Sequence, residues 1–361
     1  MRTRLLALLA LALAGGCSDA DVDPVAPDGF DEFAWQSGVP DARSERLCPK
    51  AEAPDRAPVE EIFVDCALEG ADLGPARTAE ADDGIRVVTW NILRGFESDR
   101  QIELLLDGAF GPVPDILLLS EVDRGCRRTE FRNVAREYAE AFGYYYVYGV
   151  EFLELPGSRG PTGPYDPPIC EHGNAIVSRY PLGNVRLIRH ASNRSWYTPP
   201  DHPNPDEPRL GGRMAIRADA NVDGRLVRLY SLHLESVVAA TDIKNAQAEE
   251  IALDGMDADV TIVGGDFNAY SALSDIQTGQ TNDAPTQSFL QRGYVDAHAG
   301  LDPDDRATSL DVGLVIDFLF SRGTSPLDAG LCPEEQCRGL SDHLPLWATF
   351  PRPGRTNGAS P

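Results

Sequence analysis

Short apolar runs of strand length recur through residues 84–350, and this pattern constrains the fold more than any other feature. Each run is rich in β-branched or aromatic residues, and turn-forming residues separate successive runs. The runs are Ile85–Trp90, Ile116–Leu119, Tyr144–Tyr148, Ala175–Val177, Met214–Ile216, Leu226–Leu232, Val260–Val263, Val315–Phe320 and Leu346–Phe350. Helical patterns lie between some of them, at Arg100–Leu106, Arg132–Phe142 and Thr241–Met256. Because strands outnumber helices in this interleaved order, we predict an α/β protein with mixed sheets.

The first residues of the chain are typical of an export signal. Arg2 and Arg4 precede the apolar stretch Leu5–Ala14, which is too short to span a bilayer as a helix. Cys17 follows the small residues Gly15-Gly16 and resembles the lipid-modified cysteine of a bacterial lipobox. We therefore predict an exported lipoprotein, anchored to a membrane through Cys17 on the periplasmic face or at the cell surface. The alternative is an ordinary signal peptide with a chance cysteine nearby.

The sequence divides into four parts. We predict a signal peptide at residues 1–16 and a lipid-anchored tether rich in Asp and Pro at residues 17–83, with a small disulfide-pinned segment near its end. One folded domain follows at residues 84–350, and residues 351–361 form a disordered tail.

Six cysteines remain after Cys17, and an even number in an oxidising compartment favours disulfides over free thiols. Six cysteines allow 15 pairings. Of these we expect the sequential one, Cys48–Cys66, Cys126–Cys170 and Cys332–Cys337.

The chain is strongly acidic, with 57 acidic against 32 basic residues and a net charge of −25. Such a surface repels nucleic acid at long range unless the active face is locally positive or carries a metal ion. The charge therefore argues against a tight or processive nucleic-acid binder. It does not argue against an enzyme with a metal ion in its cleft.

Polar residues with complementary chemistry stand at or near the ends of the predicted strands. A single acid at a strand end is usually a turn residue or a helix cap, but a set with matching chemistry indicates a site. The set comprises Asn91, Glu121, His233, Asp266, Asn268, Asp317, Asp342 and His343.

The motifs that carry these residues resemble the endonuclease/exonuclease/phosphatase superfamily. They are Thr89-Trp-Asn91, Ser120-Glu121, Leu232-His233, Gly265-Asp-Phe-Asn268, Ile316-Asp317 and Ser341-Asp-His343, with two supporting blocks at Gly173–Leu182 and Arg213–Ile216. The resemblance covers roughly residues 84–350. It implies a four-layer α/β sandwich, in which two mixed β-sheets pack face to face with helices on the outer faces. It also implies a catalytic domain that hydrolyses phosphoesters with a divalent metal ion.

The resemblance implies a metal site built from oxygen ligands. Glu121 corresponds to the principal ligand, and Asn91 and Asp342 are expected as close neighbours of the ion. Carboxylate and amide oxygens suit Mg²⁺ or Mn²⁺, which need few protein ligands and keep several waters.

The resemblance also implies catalytic roles. Asp266 is expected to orient or deprotonate the attacking water, and Asn268 to hold that water or a phosphate oxygen. His343 would donate to the scissile phosphoryl group, with Asp317 accepting from its other ring nitrogen. His233 would be a second donor to the same group.

Weaker candidates surround these residues. Asn174 and Arg213 are predicted to contact the substrate, whereas His172 in the same block as Asn174 has no predicted role. The basic run Arg124–Thr129 is interpreted as a phosphate-binding rim rather than a plain turn. The insertion Arg189–Arg209 is a candidate wall of a substrate groove.

We therefore expect a divalent-metal-dependent phosphoester hydrolase that acts outside the cytoplasm as a monomer, and specifically a phosphodiesterase of nuclease type. The alternatives are a phospholipid or sphingomyelin phosphodiesterase, a phosphatase on the same fold, or a catalytically inactive surface binding module. The substrate is accordingly a nucleic acid or a phospholipid headgroup. An inactive module is disfavoured because Glu121, Asp266 and His343 are all present.

Overall fold

The structure is a computed structural model. It describes residues 68–73, 84–108, 111–154, 170–194, 196, 209–237, 240–269, 284–302, 305–311 and 313–353. Within these ranges no helix has the length and apolar character needed to cross a membrane.

The larger sheet contains eight strands. They are β1 (Leu68–Asp72), β2 (Gly84–Arg94), β3 (Ile116–Arg124), β4 (Tyr145–Glu154), β5 (Cys170–Ser178), β7 (Arg209–Gly211), β13 (Asp328–Leu331) and β14 (Leu346–Pro351). Their order across the sheet is β1-β4-β5-β3-β2-β14-β13, and β7 pairs with β4. Only β2 and β3 run parallel; the other pairs of this sheet are antiparallel.

The second sheet contains six strands. They are β6 (Leu182–Arg189), β8 (Met214–Val222), β9 (Arg225–His233), β10 (Thr261–Asp266), β11 (Val295–Asp296) and β12 (Asp317–Arg322), in the order β11-β12-β10-β9-β8-β6. Here β9 and β10 form the parallel pair. Each sheet is therefore mixed, with one parallel pair among antiparallel neighbours.

Helices cover the outer face of each sheet. They are α1 (Ser98–Leu106), α2 (Val134–Phe142), α3 (Thr241–Asp254), α4 (Ala284–Leu290) and α5 (Glu334–Cys337). Apolar residues of α1 and α2 pack on the larger sheet, and residues of α3 and α4 pack on the second sheet. These layers confirm the predicted four-layer α/β sandwich.

The inner faces of the two sheets form a shared apolar core. Strand alternation assigns the residues: Ile85 and Val87 of β2 face the second sheet, whereas Val88 and Trp90 face the helices. Gly264 of β10 marks a close approach, because a Cβ there would lie 2.9 Å from the Cβ of Thr89 and 2.8 Å from a methyl group of Leu118. Any larger side chain at position 264 would push the sheets apart.

The fold extends beyond the predicted domain boundary at residue 84. Strand β1, which the sequence analysis assigned to the tether, pairs antiparallel with β4 from Leu68↔Gly149 to Asp72↔Tyr145. Glu69 of this strand forms an ion pair with Arg124 and accepts hydrogen bonds from Tyr146 and Asn133. Residues 68–72, which the sequence analysis placed in the tether, therefore pair with the larger sheet.

Two of the predicted disulfides, Cys126–Cys170 and Cys332–Cys337, are confirmed. The first joins the end of β3 to the start of β5. The predicted Cys48–Cys66 pair lies outside the described residues, as do residues 1–67 and 354–361 of the predicted signal, tether and tail.

The two disulfides should stabilise the fold unequally. Cys126 and Cys170 are 44 positions apart, whereas Cys332 and Cys337 are 5 apart. Chain-entropy arguments assign about 4 kcal/mol of unfolding free energy to the first cross-link and about 2 kcal/mol to the second. Replacing Cys126 and Cys170 by serine should therefore lower the melting temperature more than replacing Cys332 and Cys337. Calorimetry of the two double variants measures this, and equal or reversed losses would contradict it.

Candidate functional site

The proposed catalytic residues converge on one edge of the sandwich, where both parallel strand pairs end. In the second sheet, Asp266 lies in register with His233 on one side and with Asp317 on the other. In the larger sheet, Asn91 is in register with Ser120 beside Glu121. A hydrogen bond from Nδ2 of Asn91 to Oδ2 of Asp266, at 3.2 Å, joins the two sheets at this edge.

Asp266 is the last residue of β10, and the backbone on either side of it is tightly constrained. Gly265 has φ 152°, and a Cβ there would lie 1.9 Å from the carbonyl oxygen of Leu232. The backbone N–H of Asn268 donates to Oδ1 of Asp266 at 2.9 Å, and Nε2 of His233 lies 3.4 Å from its Oδ2. The pKa of Asp266 is raised to about 7, mainly by burial and secondly by the negative charge of Asp317.

His343 and Asp317 form a buried pair that faces Asp266. Nδ1 of His343 donates to Oδ2 of Asp317 at 2.7 Å, and Nε2 of His343 lies 3.9 Å from Oδ2 of Asp266. Burial favours the neutral imidazole, but the charges of Asp317, Asp266 and Asp342 and the hydrogen bond outweigh it and raise the pKa of His343 to about 10. The Nε2–H of a protonated His343 is thus available to a phosphoryl oxygen.

The backbone around His343 is held by the larger sheet. Nε1 of Trp90 donates to the carbonyl oxygen of His343 at 2.9 Å, and the hydroxyl of Ser341 donates to the carbonyl oxygen of Asn91 at 2.7 Å. The Ser-Asp-His segment is therefore attached to the strand that carries Asn91, although some 250 positions separate the two in sequence.

Glu121 stands at an irregular point of β3. Its φ is 54°, and the pairing of β3 with β5 shifts register between Leu119 and Val122. Burial alone would raise the pKa of Glu121, but the charge of Arg94, followed by those of three histidines, holds it well below its usual range. Glu121 is a half-buried residue, and its carboxylate accepts no hydrogen bond from the described part of the chain.

The donor set around Glu121 fits a hard divalent cation. Asp342 is half-buried, and burial raises the pKa of its carboxyl group. The charge of Glu121 raises this pKa further, whereas the charge of His343 lowers it. The charge of Glu121 acts on Asp342, so these two carboxylates repel each other and a bound cation would relieve the repulsion. A second acidic group, Asp266, Asp317 and His343, is also compact enough to bind a metal. Because Nδ1–H of His343 already donates to Asp317, the cluster of Asp266, Asp317 and His343 is better suited to proton transfer than to metal binding.

The turn that carries Asn268 is supported from behind by Lys244. Asn268 has φ 47°, and its Nδ2 donates to the carbonyl oxygen of Leu234 at 3.2 Å. Nζ of the buried Lys244 donates to the carbonyl oxygen of Asn268 at 2.6 Å. Burial lowers the pKa of Lys244 to about 8. Sequence analysis missed this residue, although Lys244 is one of two lysines in a chain whose other basic residues are arginines.

The two predicted substrate contacts, Asn174 and Arg213, lie beside the site but are already engaged. Nδ2 of Asn174 donates to the carbonyl oxygen of Met214 at 3.3 Å. Nη1 of the buried Arg213 donates to Glu151 at 2.7 Å, and its Nη2 donates to Ser236 at 3.1 Å. Both residues are buried, and Oδ1 of Asn174 has no hydrogen-bond partner among the described residues.

Two of the three arginines of the predicted phosphate-binding rim form ion pairs within the fold, whereas Arg127 is exposed. Arg124 is paired with Glu69 and Glu171, and the buried Arg128 binds both oxygens of Asp123. These ion pairs tie down the loop after β3. The positive charge that acts most strongly on Glu121 is that of Arg94, a residue that the sequence analysis did not select.

Only parts of the insertion Arg189–Arg209, the candidate groove wall, lie within the described ranges. Within the insertion Arg189–Arg209, Trp196 is buried and its ring packs edge-on against Phe152 at 5.2 Å. Arg209 lies over the same two rings. Residues 197–208 lie outside the described ranges.

The raised pKa of His343 should depend on Asp317. In metal-free protein, ¹⁵N chemical shifts should show the imidazole of His343 protonated beyond pH 9. Asp317→Asn removes the main opposing charge while burial persists, so the pKa should fall by about two units or more. A wild-type imidazole that titrates near its ordinary value of about 6.5 would contradict the pairing.

Comparison with known proteins assigns the family. The model of the Endonuclease/Exonuclease/phosphatase family matches residues 88–343. An endonuclease/exonuclease/phosphatase structure from Beutenbergia cavernae aligns with a TM-score of 0.58 and 16% identity, covering 75% of this chain and 72% of that one. A family protein from Leptotrichia buccalis aligns with a TM-score of 0.50 and 14% identity, covering 73% and 98%. A search of curated proteins found no significant match. The chain is a member of the endonuclease/exonuclease/phosphatase family of phosphoesterases.

Proposed function

We propose that this protein is a divalent-metal-dependent phosphodiesterase of nuclease type. The observation that carries the proposal is the alignment of Asp266 with His343, which is itself hydrogen-bonded to Asp317 at 2.7 Å. Hydrolysis of a phosphodiester needs a base for the attacking water and a donor to the phosphoryl oxygens. These residues supply both, with Nε2 of His343 3.9 Å from Oδ2 of Asp266.

Asp266 acts on the water and His343 on the phosphoryl group. The carboxylate of Asp266 is held by Asn91 through Oδ2 and by the N–H of Asn268 through Oδ1, so it is fixed while it orients and deprotonates water. His343 donates from Nε2, and Asp317 keeps its ring in place and its charge balanced. His233, 3.4 Å from Asp266, is placed to contact the same phosphoryl group.

Glu121, Asn91 and Asp342 are the residues that would hold a Mg²⁺ or Mn²⁺ ion. When bound, such an ion neutralises charge on the phosphoryl oxygens. Arg94 adds a second positive charge next to Glu121. The chain has a net charge of −25 and therefore repels an anionic substrate at long range. Positive charge at the site is needed to bind such a substrate.

We also propose where the enzyme acts. The apolar start of the chain and Cys17 support an exported lipoprotein that works outside the cytoplasm as a monomer on the periplasmic face or the cell surface. The confirmed disulfides are consistent with an oxidising compartment. A phospholipid headgroup is the second candidate substrate, because a lipid anchor would hold the site near a membrane.

Metal-dependent hydrolysis is the first test. The purified protein should hydrolyse bis(p-nitrophenyl) phosphate with Mg²⁺ or Mn²⁺ and lose activity in EDTA. Asp266→Asn should reduce turnover by on the order of 10²–10⁴-fold. Glu121→Gln should weaken metal binding, whereas Glu103→Gln, an exposed control on α1, should leave both properties unchanged. Full activity in EDTA would refute the proposal, and parallel assays with DNA, RNA and phospholipid vesicles identify the substrate class.

The anchor can be tested separately in a bacterial host. Labelled palmitate should enter the wild-type precursor and remain with the membrane fraction. Cys17→Ser should carry no label and appear in the soluble fraction, because the lipid is attached to that thiol. Equal labelling of the two proteins would exclude lipidation at Cys17.

A further inference from the structure

Lys244 is a buried cation that has no role in the reaction proposed above. It lies in the first turn of α3, and its side chain is 0% exposed. The chain contains one other lysine, Lys50, and all its remaining basic residues are arginines. Burial removes the hydration of an ammonium group, so this group needs polar partners inside the protein.

The partner of the Lys244 ammonium group is the backbone of the turn after β10. Nζ of Lys244 donates to the carbonyl oxygen of Asn268 at 2.6 Å. Asn268 has φ 47°, which lies in the left-handed region that is costly for most residues and is better tolerated by asparagine. A hydrogen bond from a charged donor is about twice as strong as one from a neutral donor. The ammonium group therefore stabilises the bent conformation of this turn.

The same turn holds two residues of the proposed reaction. The backbone N–H of Asn268 donates to Oδ1 of Asp266 at 2.9 Å, and its Nδ2 donates to the carbonyl oxygen of Leu234 at 3.2 Å. In the opposite direction, the N–H of Leu234 donates to the carbonyl oxygen of Asp266 at 2.9 Å. Lys244 thus joins α3 to a set of hydrogen bonds that links the ends of β9 and β10.

The groups that face Lys244 set the pH range in which it is charged. Burial has the largest effect and lowers the pKa of Lys244 to about 8, and the charge of Arg213 acts in the same direction. The charges of Asp266 and Glu235 act in the opposite direction. Helix α4, which packs against α3, carries no charged side chain. The ammonium form therefore predominates below pH 8, and the neutral amine predominates above it.

We propose that Lys244 is a positioning residue of the hydrolytic site: its ammonium group holds the carbonyl of Asn268 and so fixes Asn268 and Asp266 for the attack of water. This inference rests on the proposed function. Because Lys244 is buried behind the turn, it acts without touching the substrate and affects turnover rather than substrate affinity. Loss of its proton removes the charged donor, so this side chain imposes an upper pH limit on activity.

Hydrogen–deuterium exchange at pH 7 tests the inference without an activity assay. Lys244→Met retains the length of the side chain but removes the charge and the donor. The backbone amides of residues 266–269 should therefore exchange about tenfold faster or more, as expected for the loss of one charge-assisted hydrogen bond. Lys50→Met, at the only other lysine of the chain, is the matched control and should leave exchange unchanged.

Two exchange results would overturn the inference and leave the proposed function standing. The first is unchanged exchange of residues 266–269 in Lys244→Met. The second is acceleration spread evenly over the whole domain, because this would mean that Lys244 supports the fold in general and not the turn.

The pH dependence of the wild type provides a test that applies even if Lys244→Met fails to fold. With saturating Mg²⁺ and bis(p-nitrophenyl) phosphate, kcat should fall above pH 8 while KM changes little. The midpoint should match the titration of Lys244 followed by ¹³C NMR of labelled lysine, and Lys50→Met assigns the two lysine signals. Lys244→Arg keeps its charge at this pH and should show no fall near pH 8.

The outcomes of this second test separate the inference from the proposed function. A fall near pH 8 that persists in Lys244→Arg, or a Lys244 that titrates at the ordinary value of about 10.4, overturns the inference alone. A wild type that hydrolyses no phosphodiester at any pH refutes the proposed function, and the inference with it.

Discussion

The contact between the apolar inner faces of the two sheets determines where every proposed catalytic residue lies. At Gly264 the sheets approach so closely that a Cβ would touch both Thr89 and Leu118. Asp266 follows two residues later on β10, and Asn91 follows two residues after Thr89 on β2. The packing of small against large residues thus sets the 3.2 Å hydrogen bond between Asn91 and Asp266. Apolar packing therefore positions the polar chemistry at the edge of the sandwich.

Several carboxylates are buried close together at this edge, and their mutual repulsion is compensated in two ways. Asp266 and Asp317 lie in register on neighbouring strands, and the proton of His343 compensates their charges. Glu121 and Asp342 have no such proton between them, and Arg94 supplies only part of the compensation. A bound cation would complete it and would stabilise the folded state. In the proposed function, their neighbours therefore divide proton handling and metal binding between different carboxylates.

On the flank of the site formed by β4, β5 and β8, negative charges are compensated by buried ion pairs with arginine. Its arginines are used internally: Arg213 binds Glu151, and Arg128 binds Asp123. Removing one partner of such a buried pair typically costs about 3–5 kcal/mol, since the other charge is left uncompensated. These pairs therefore hold the flank rigid, and in the case of Asp123 they orient the imidazole of His172.

The sequence by itself determined the fold class, the family and most of the polar residues that meet at the proposed catalytic edge. Strand-length runs and the Gly-Asp-Phe-Asn and Ser-Asp-His motifs are local signals, because each depends on residues adjacent in the chain. The strands β1, β6 and β13 were not predicted, since their short or partly exposed segments lack the apolar periodicity of central strands. Only the tertiary structure decided which charges are engaged. Arg213, a predicted substrate contact, donates to Glu151, which is 62 positions away in the sequence. Nδ1 of His172 lies 2.8 Å from Asp123, which is 49 positions away. The reason is physical: whether a buried side chain is available to a ligand depends on partners that the folding of distant segments brings within hydrogen-bonding distance.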